Sequence, residues 1–284
     1  KGKSREIKMK FGFLMENKTD NPGIVAEHGL SIYIEAHGKN ILFDAGATGL
    51  FAKNAGKMEF ALEKVDFAVV SHGHYDHTGG FPQFCEINEK APVYIHKNGF
   101  RQSYGLKNGV LEKISCGIRW SDEEKNMMRD RLILTDGPVK ISDDIYITGT
   151  VTTTEGFEPT EKFYYSNEKG ELTEDDMSHE QCLVIREPEG IYIFSGCSHR
   201  GAVSALNAGK SVFPGEKVAA FIAGMHLYGT SCEDRQQVVE QIVGENIGKV
   251  MPVHCTGIKA ICDLKARLGE RCIVATAGDV FHGC

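Results

Sequence analysis

Short apolar runs recur along the chain, and most of them stop at a glycine, aspartate, serine or histidine. Several are apolar at consecutive positions, which is typical of strands that are covered on both faces. They predict strands over Leu30–Ala36, Asn40–Asp44, Val65–Ser71, Val93–His96, Ile145–Thr148, Cys182–Ile185, Ile191–Ser195, Val218–Ala223 and Lys249–Val253. Helical spacing of apolar residues predicts helices over Thr78–Phe84, Arg200–Ala208, Cys232–Ile242 and Gly257–Leu268.

The predicted strands crowd the first third of the chain and alternate with helices afterwards. This order fits two packed sheets with helices on the outside, an α/β fold of the αββα sandwich type. Two polar stretches, Gly105–Asp122 and Thr152–Asp176, are predicted to be insertions or connections that carry substrate specificity. Because no linker-like segment separates two halves, we expect residues 1–284 to form a single domain.

The amino-acid composition argues against several classes of function. The chain has 284 residues, is 41% apolar and 25% charged, and carries a formal charge of −7. The acidic balance argues against nucleic-acid or anionic-membrane partners, and no apolar run approaches the roughly 18 residues of a membrane-spanning helix. The nine cysteines are scattered without a CxxC pair, and the basic segment Lys1–Lys10 lacks the apolar core of a signal peptide. Both features predict a cytoplasmic protein with reduced thiols.

The densest group of metal-ligand side chains directly follows a predicted strand, in the segment SHGHYDHTGG at 71–80. Residues two apart in an extended segment point the same way, so His72 and His74 can bind one metal ion. The chain then turns, which allows Asp76 and His77 to face a second ion. Burying four such groups is costly unless something binds them, so a metal site is preferred over an exposed histidine-rich loop.

Imidazole and carboxylate ligands suit Zn²⁺, Fe²⁺ or Mn²⁺. Two such ions would activate a hydroxide and hold both the attacking and the leaving oxygen of a reaction. Asp76 would be both a ligand and a neighbour of that hydroxide. It is therefore the predicted catalytic group for proton transfer.

Other ligand-type residues follow further predicted strands, and residues at the ends of adjacent strands converge on one rim. His254 is predicted to be a metal ligand. His199 and Cys197 follow the same strand and compete for one place. His179, just before another strand, is a third contender, and His199 is preferred.

Three further residues are assigned supporting or substrate-binding roles. Asp44 is predicted to hold the second ring nitrogen of a histidine ligand, against the alternative of a simple turn residue. His226 is predicted to contact substrate, with metal ligation or an ordinary polar contact as alternatives. Arg200 is predicted to bind an anionic group such as phosphate, as is Lys259, against the alternative of solvated surface charge.

These motifs resemble the metallo-β-lactamase superfamily. The segment at 71–80 is similar to its HxHxDH signature, and ILFDAG at 41–46 resembles its upstream aspartate motif. The segments AEHGLS at 26–31, GCSH at 196–199, AGMHL at 223–227 and VHCTG at 253–257 resemble one branch, the dihydropterin-ribofuranosylaminobenzene-phosphate synthase-like proteins.

The resemblance implies an αββα fold with a binuclear metal site at one edge of the sandwich. Carried over by position, its ligands would be His72, His74, Asp76, His77 and His254. Many members carry a bridging aspartate where this chain has Cys197, so the bridging ligand stays open. Oxygen-reducing diiron members typically carry glutamate at the position of His74, so the histidine implies a hydrolytic zinc-type centre.

The expected function is a metal-dependent hydrolase, or a related synthase-type transferase, acting on a small phosphorylated or pterin-related substrate. A nucleic-acid phosphodiesterase is one alternative, and the charge and the lack of a Lys/Arg block count against it. A noncatalytic metal-binding or redox-sensing protein that uses its many thiols is the other. The sequence leaves the oligomeric state open.

Overall fold

The computed structural model describes residues 9–107, 110–154, 158–159, 161–167 and 169–283. The strands are β1 (Lys10–Met15), β2 (Ser31–Ala36), β3 (Lys39–Phe43), β4 (Phe67–Val69), β5 (Val93–His96), β6 (Ser103–Lys107), β7 (Val110–Leu111), β8 (Leu132–Thr135), β9 (Val139–Lys140), β10 (Ile145–Ile147), β11 (Phe163–Ser166), β12 (Leu172–Glu174), β13 (Leu183–Glu187), β14 (Gly190–Ser195), β15 (Val218–Gly224), β16 (Ile247–Val253) and β17 (Val280–His282). The α-helices are α1 (Leu50–Lys57), α2 (Tyr75–Thr78), α3 (Phe81–Ile87), α4 (Asp122–Met128), α5 (Ala202–Val212), α6 (Cys232–Gly244) and α7 (Ile258–Leu268).

Two large sheets form the centre of the fold. One has seven strands in the order β17-β1-β2-β3-β4-β5-β8, and the other has six in the order β16-β15-β14-β13-β10-β9. Strands β3, β4, β5 and β8 run parallel in the first sheet, and β14, β15 and β16 run parallel in the second. Parallel strands end at the same edge of their sheet, so each sheet has one edge that collects chain ends.

Three apolar layers hold the sandwich together. Side chains from both large sheets, such as Phe11, Ile32 and Phe194, form a buried core between them. Helices α5, α6 and α7 pack on the outer face of the six-stranded sheet, and α1, α3 and α4 pack on the outer face of the other. The predicted αββα architecture is thereby confirmed, whereas the extent of the domain stays a prediction.

The nine predicted strands are present with ends within two residues of those observed. The predicted helix Thr78–Phe84 is wrong, because α2 and α3 are separate and Gly79 and Gly80 stand between them. A β-carbon on Gly80 would lie 2.1 Å from the carbonyl oxygen of Ala45, so the backbones touch at this break. Strands β1, β8, β9 and β17 and helices α1 and α4 are additional to the prediction.

The two polar stretches predicted as loops contain strands. Strands β6, β7, β11 and β12 form a four-stranded sheet in the order β12-β11-β6-β7. These strands are short and are flanked by polar residues in the sequence, so they lack the long apolar runs that identify strands of the larger sheets. Residues 108–109, 155–157, 160 and 168 of the same stretches lie outside the described residues.

Two findings bear on the expected environment of the chain. Of the helices within the described ranges, none is long and apolar enough to span a membrane. Eight cysteines lie in the described part of the chain, and all are free thiols. The cytoplasmic location stays a prediction.

Removing a central aromatic ring should weaken the whole sandwich. Phe194 is fully buried and its ring centroid lies 5.6 Å from Phe11 and 6.1 Å from Phe43. We expect Phe194→Ala to lower the free energy of unfolding by about 3–5 kcal/mol because it leaves a cavity. Urea denaturation measures the change. Leu134→Ala on β8, where the side chain is 58% exposed, should stay within about 0.5 kcal/mol of the parent, and an equal loss in both would contradict this account.

Candidate metal centre

The structure brings the predicted ligands to one place at the ends of the parallel strands. His72, His74, Asp76 and His77 follow β4, while Cys197 and His199 follow β14 and His254 follows β16. The ring centroids of His72 and His77 are 4.2 Å apart, those of His74 and His199 are 4.7 Å apart, and those of His77 and His254 are 4.8 Å apart. All seven residues are buried.

The chain enters this centre through strained turns. Seven described non-glycine residues have a positive φ, and four of them lie just after strands at the centre: Asp44, Ser198, His226 and His254. A left-handed conformation is costly for residues with a β-carbon and persists where surrounding contacts hold it. Such turns redirect each chain at the rim, so that ligand side chains point inward.

On the β14 side, the centre contains imidazole nitrogens that lack hydrogen-bond partners. The ligand atoms of His72, Cys197 and His199 all lie within 4.8 Å of one another. His72 Nε2 and both ring nitrogens of His199 are buried without a partner. Buried polar atoms normally have partners, and neutral imidazole nitrogens are common metal ligands. This donor set therefore fits a divalent metal ion.

A second group lies on the β16 side. His77 Nε2 is 3.1 Å from Cys197 Sγ and 3.2 Å from His254 Nε2, and these three residues form another candidate set of ligands. Asp76 joins it, because its Oδ2 atom is 3.1 Å from His254 Nε2. His28 Nε2 lies 3.2 Å from the same carboxylate oxygen. His28 was assigned no role from the sequence, although it lies within the segment AEHGLS.

The Asp44 carboxylate holds the start and the end of the 71–77 histidine segment in place. It accepts hydrogen bonds from the backbone N–H and the hydroxyl of Ser71, both at 2.7 Å. Its Oδ2 atom lies 2.6 Å from His77 Nδ1, which leaves Nε2 of that ring facing the centre. The Ser71 hydroxyl is also 2.9 Å from His72 Nδ1. These contacts are those expected for a residue that orients histidine ligands.

His254 is oriented by two residues that directly follow β1, a strand that the sequence did not predict. Its Nδ1 atom is 2.8 Å from the Asn17 amide oxygen, and its backbone N–H donates to the carboxylate of Glu16. These contacts join residues more than 230 positions apart in the chain. No motif or spacing could have identified Glu16 and Asn17, because their role depends on how the two large sheets, which hold β1 and β16, pack against each other.

Burial keeps part of the histidine cluster neutral. It lowers the pKa of His74 to about 3. Burial, together with repulsion from neighbouring histidines, holds the pKa values of His72 and His199 well below the ordinary value. Neutral imidazoles are the form that binds metal ions, because a protonated nitrogen has no lone pair to donate.

The carboxylates give the other part of the cluster a different charge state. Burial disfavours a charge on His77, but the carboxylates of Asp44 and Asp76 outweigh it and raise the pKa of this ring to about 9. Burial likewise opposes ionisation of Asp76, yet the surrounding histidines, His77 first, hold its pKa well below the ordinary value. The centre thus has a carboxylate that is ionised at neutral pH and attracts a positive charge.

The structure also separates the contenders for the remaining positions. His199 lies in the group with His72 and Cys197, whereas His179 is in none of the candidate ligand groups of the described residues. His179 Nδ1 accepts a hydrogen bond from the Gly73 backbone at 3.1 Å. Its Nε2 atom is 3.6 Å from an Asp175 carboxylate oxygen. His179 therefore contacts the backbone of the segment that carries His72 and His74.

His226 and Arg200 lie close to the centre with contacts of their own. The His226 ring centroid is 4.3 Å from that of His199, and its Nε2 atom is 2.8 Å from Glu161 Oε2. The Arg200 guanidinium donates to the backbone carbonyl of Asp176. Their predicted roles in substrate binding stay predictions.

The four-stranded sheet covers one side of the centre. Phe163 on β11 lies 4.8 Å from the His74 ring and 5.2 Å from the His199 ring, between centroids. Cys116, in the segment that follows β7, places its Sγ atom 3.8 Å from His74 Nε2. Both residues come from the two stretches predicted to carry specificity.

Two cavities flank the centre. One of about 480 Å³ is lined by Asn17, Tyr228, His254 and Lys259, among others. The other, of about 460 Å³, is lined by His199, His226 and Glu161, among others. Each cavity therefore has a ligand-type histidine in its wall, and both are large enough for a small-molecule substrate.

Comparison with known proteins agrees with this architecture. The family model described as the metallo-beta-lactamase superfamily matches residues 25–162. An uncharacterised protein of Methanocaldococcus jannaschii is 31% identical over 84% of this chain and 88% of its own length. The 7,8-dihydropterin-6-methyl-4-(beta-D-ribofuranosyl)-aminobenzene-5'-phosphate synthase of the same organism is 30% identical over 83% of each chain.

Solved structures show the same fold. The crystal structure of Tm1679, a metal-dependent hydrolase of the beta-lactamase superfamily, superposes with a TM-score of 0.80 at 25% identity, covering 96% of this chain and 98% of that one. The metallo-beta-lactamase fold protein YhfI from Bacillus subtilis superposes with a TM-score of 0.57 at 14% identity, covering 97% and 99%.

Neutralising the carboxylate that orients the histidines should weaken metal binding. We expect Asp44→Asn to lower metal affinity by about 10- to 100-fold, the usual effect of losing a partner that orients a metal ligand. Asparagine tolerates the left-handed backbone at this position, so the turn is kept. Competition with a chromogenic chelator measures the affinity.

The control is Asp66→Asn, which changes a partly exposed carboxylate that accepts from Asn40 and Lys39. It should leave metal affinity unchanged. Equal affinities in the parent and in Asp44→Asn would show that the Asp44 contacts do not support the metal centre.

Proposed function

The chain belongs to the metallo-beta-lactamase superfamily, and on that premise we propose that it is a metal-dependent hydrolase of a small anionic substrate. A related group-transfer reaction of the synthase type is the alternative form of this proposal. The observation that carries this proposal is the set of buried imidazole nitrogens of His72 and His199 without partners, beside the ionised carboxylate of Asp76. Such a cluster is costly in a protein that binds no cation.

The donor set supports two divalent metal ions, zinc first, with iron or manganese as alternatives. The ion on one side would be held by His72, His74 and His199. The ion on the other side would be held by Asp76, His77 and His254. When bound, such ions act as Lewis acids and lower the pKa of water to near neutrality.

Several side chains of the protein have proposed roles in such a reaction. Asp76, ionised at neutral pH, is the proposed proton acceptor from the attacking water and the donor to the leaving group. Asp44 and Asn17 fix the rings of His77 and His254 through their second nitrogens. Phe163 lies against two imidazoles and restricts access of bulk water to this side.

The cavity beside His254 supports a substrate with an anionic group. Lys259 is exposed at its rim, and Lys18 and Arg235 also line it. Those two cations already pair with Glu16 and Asp263, and the Arg200 guanidinium is engaged by a carbonyl. Lys259 is therefore the proposed contact for a phosphate. The curated relative named as a pterin-related phosphate synthase supports a phosphorylated aromatic substrate.

The two alternatives make different demands. A nucleic-acid phosphodiesterase would need affinity for RNA or DNA that falls with salt, and the charge of −7 counts against it. A noncatalytic metal-binding or redox-sensing protein would bind metal without turnover. A substrate panel with phosphodiester, lactone, β-lactam and oligonucleotide members separates these alternatives from the proposed hydrolase.

Removing the proposed proton-transfer group should abolish most of the turnover. We expect Asp76→Asn to lower kcat by at least about 100-fold on any hydrolysed member of the panel, because it cannot accept the proton. Steady-state kinetics and metal analysis of the same samples provide the measurement. Asp122→Asn, where the side chain is 93% exposed on α4, should match the parent. Equal kcat in the parent and in Asp76→Asn would refute the proposed role.

Removing the lysine at the cavity rim should weaken binding of phosphorylated substrates. We expect Lys259→Ala to raise KM for a phosphorylated aromatic compound by about 5- to 10-fold, as the loss of one charged hydrogen bond of about 1–1.5 kcal/mol implies. The unphosphorylated analogue should be unaffected. Lys53→Ala on α1, on the opposite outer face, is the matched control. An equal KM change for both compounds would contradict phosphate recognition by Lys259.

A further inference from the structure

We propose that Cys197 supplies a thiolate ligand shared by the two metal ions of the centre. The inference rests on the proposed function, in that it assumes two bound ions. Cys197 Sγ belongs to the candidate ligand group with His72 and His199 and also to the group with His77 and His254. Among the described residues, it is the side-chain atom common to both sides of the centre.

The Cys197 sulfur and the His77 ring nitrogen are about as far apart as two ligands of one metal ion. Metal–sulfur bonds of about 2.3 Å and metal–nitrogen bonds of about 2.0 Å place two ligands of one tetrahedral ion roughly 3.5 Å apart. The observed separation of Cys197 Sγ and His77 Nε2 is 3.1 Å. The thiol therefore needs little movement to share an ion with that ring.

An independent observation comes from the opposite side of the sulfur. His72 Nε2 and both nitrogens of His199 are buried without partners, and they belong to the same compact group as Cys197 Sγ. A second ion placed among these atoms would contact the same sulfur and would satisfy nitrogens that the protein itself leaves unpaired.

The backbone is shaped to bring this sulfur into the centre. A β-carbon on Gly196 would lie 2.1 Å from the Ser71 hydroxyl and 3.1 Å from His72 Nδ1. A β-carbon on Gly224 would lie 2.2 Å from the Gly196 carbonyl oxygen. Glycine at position 196 lets the end of β14 approach the histidine segment, and glycine at position 224 lets the ends of β14 and β15 approach each other. Together they place Cys197 against the ligand rings.

A neighbouring thiol has a different environment. Cys255 accepts a hydrogen bond from the His226 backbone N–H at 3.3 Å and donates to the Cys197 carbonyl at 3.6 Å. It shares a candidate group with Cys197 and His226, but not with His72 or His77. Cys255 is therefore a matched control with a buried thiol close to the same centre.

Binding of the ions would convert the Cys197 thiol to a thiolate, with one metal–sulfur bond to each ion and release of one proton to solvent. No oxidant or reductant is required. Because sulfur is a soft ligand, the shared thiolate favours zinc or iron over manganese and magnesium.

The test uses the full chain stripped of metal and reloaded with two equivalents of Co²⁺ or Zn²⁺. We expect the Co²⁺ form to show thiolate-to-cobalt charge-transfer absorption in the near ultraviolet. Cys197→Ser should lose this absorption, and Cys255→Ser should keep it. In the Zn²⁺ form, X-ray absorption should give about one sulfur neighbour per metal when the thiolate is shared, and about half that number when it binds one ion.

The remaining outcomes each decide a separate point. Two bound metals with no sulfur scattering, or loss of the charge-transfer band only in Cys255→Ser, would overturn the assignment and leave the proposed hydrolase intact. A parent protein that retains no metal would overturn the proposed function itself. A folded Cys197→Asp variant that binds two metals without the band would support a shared position at residue 197, since a carboxylate can also bridge. If that variant bound only one metal, the shared position would be refuted.

Discussion

The buried carboxylate of Asp44 is the contact on which the arrangement of the site depends. It lies where β3 ends, and it receives the backbone N–H and the hydroxyl of Ser71 and the imidazole of His77. A fully buried carboxylate is stable only when its oxygens are compensated, so the ends of β3 and β4 must meet in this one geometry. The Ser71 hydroxyl, held by Asp44, in turn contacts and orients the His72 ring.

The rest of the centre follows from how strands end. In each large sheet, parallel strands bring their carboxyl ends to one edge, and residues in left-handed conformation turn the chain at Asp44, Ser198 and His254. The interior strands β3 and β14 hold the turns at Asp44 and Ser198, because they are hydrogen-bonded on both sides, whereas β16 before His254 is an edge strand that pairs with β15. Strain of this kind costs free energy at each turn, and the buried apolar layers on both faces of the sheets offset that cost.

The strands and helices that have a local sequence pattern could be predicted, and so could the candidate ligands that lie close together in the sequence. Continuous apolar runs identified nine strands of the two large sheets but not β1, β8, β9 and β17. Four ligand-type residues within six positions identified the histidine segment. Asn17 and His28 were not identified, because Asn17 follows β1 and His28 precedes β2, and their contacts with the centre depend on how these segments pack against distant parts of the chain. The four-stranded sheet escaped for a related reason: its short strands are defined by pairing partners, such as Phe163 with Gly105, and not by apolar runs.

If Cys197 is shared by two ions as proposed, the residue at position 197 would link the fold to substrate choice. A thiolate bridges two ions through one sulfur atom, whereas a carboxylate can bridge through one or both oxygens, and metal–sulfur bonds are longer than metal–oxygen bonds by about 0.1–0.3 Å. A shared ligand at position 197 would therefore set the spacing of the ions. The spacing of the ions decides which pair of substrate oxygens they can contact together. Phe163 limits that space on one side, while the cavities beside His254 and His199 leave it open on the others. On the proposed function, the cysteine and the four-stranded sheet would therefore act on the same property, the shape of the substrate that reaches Asp76.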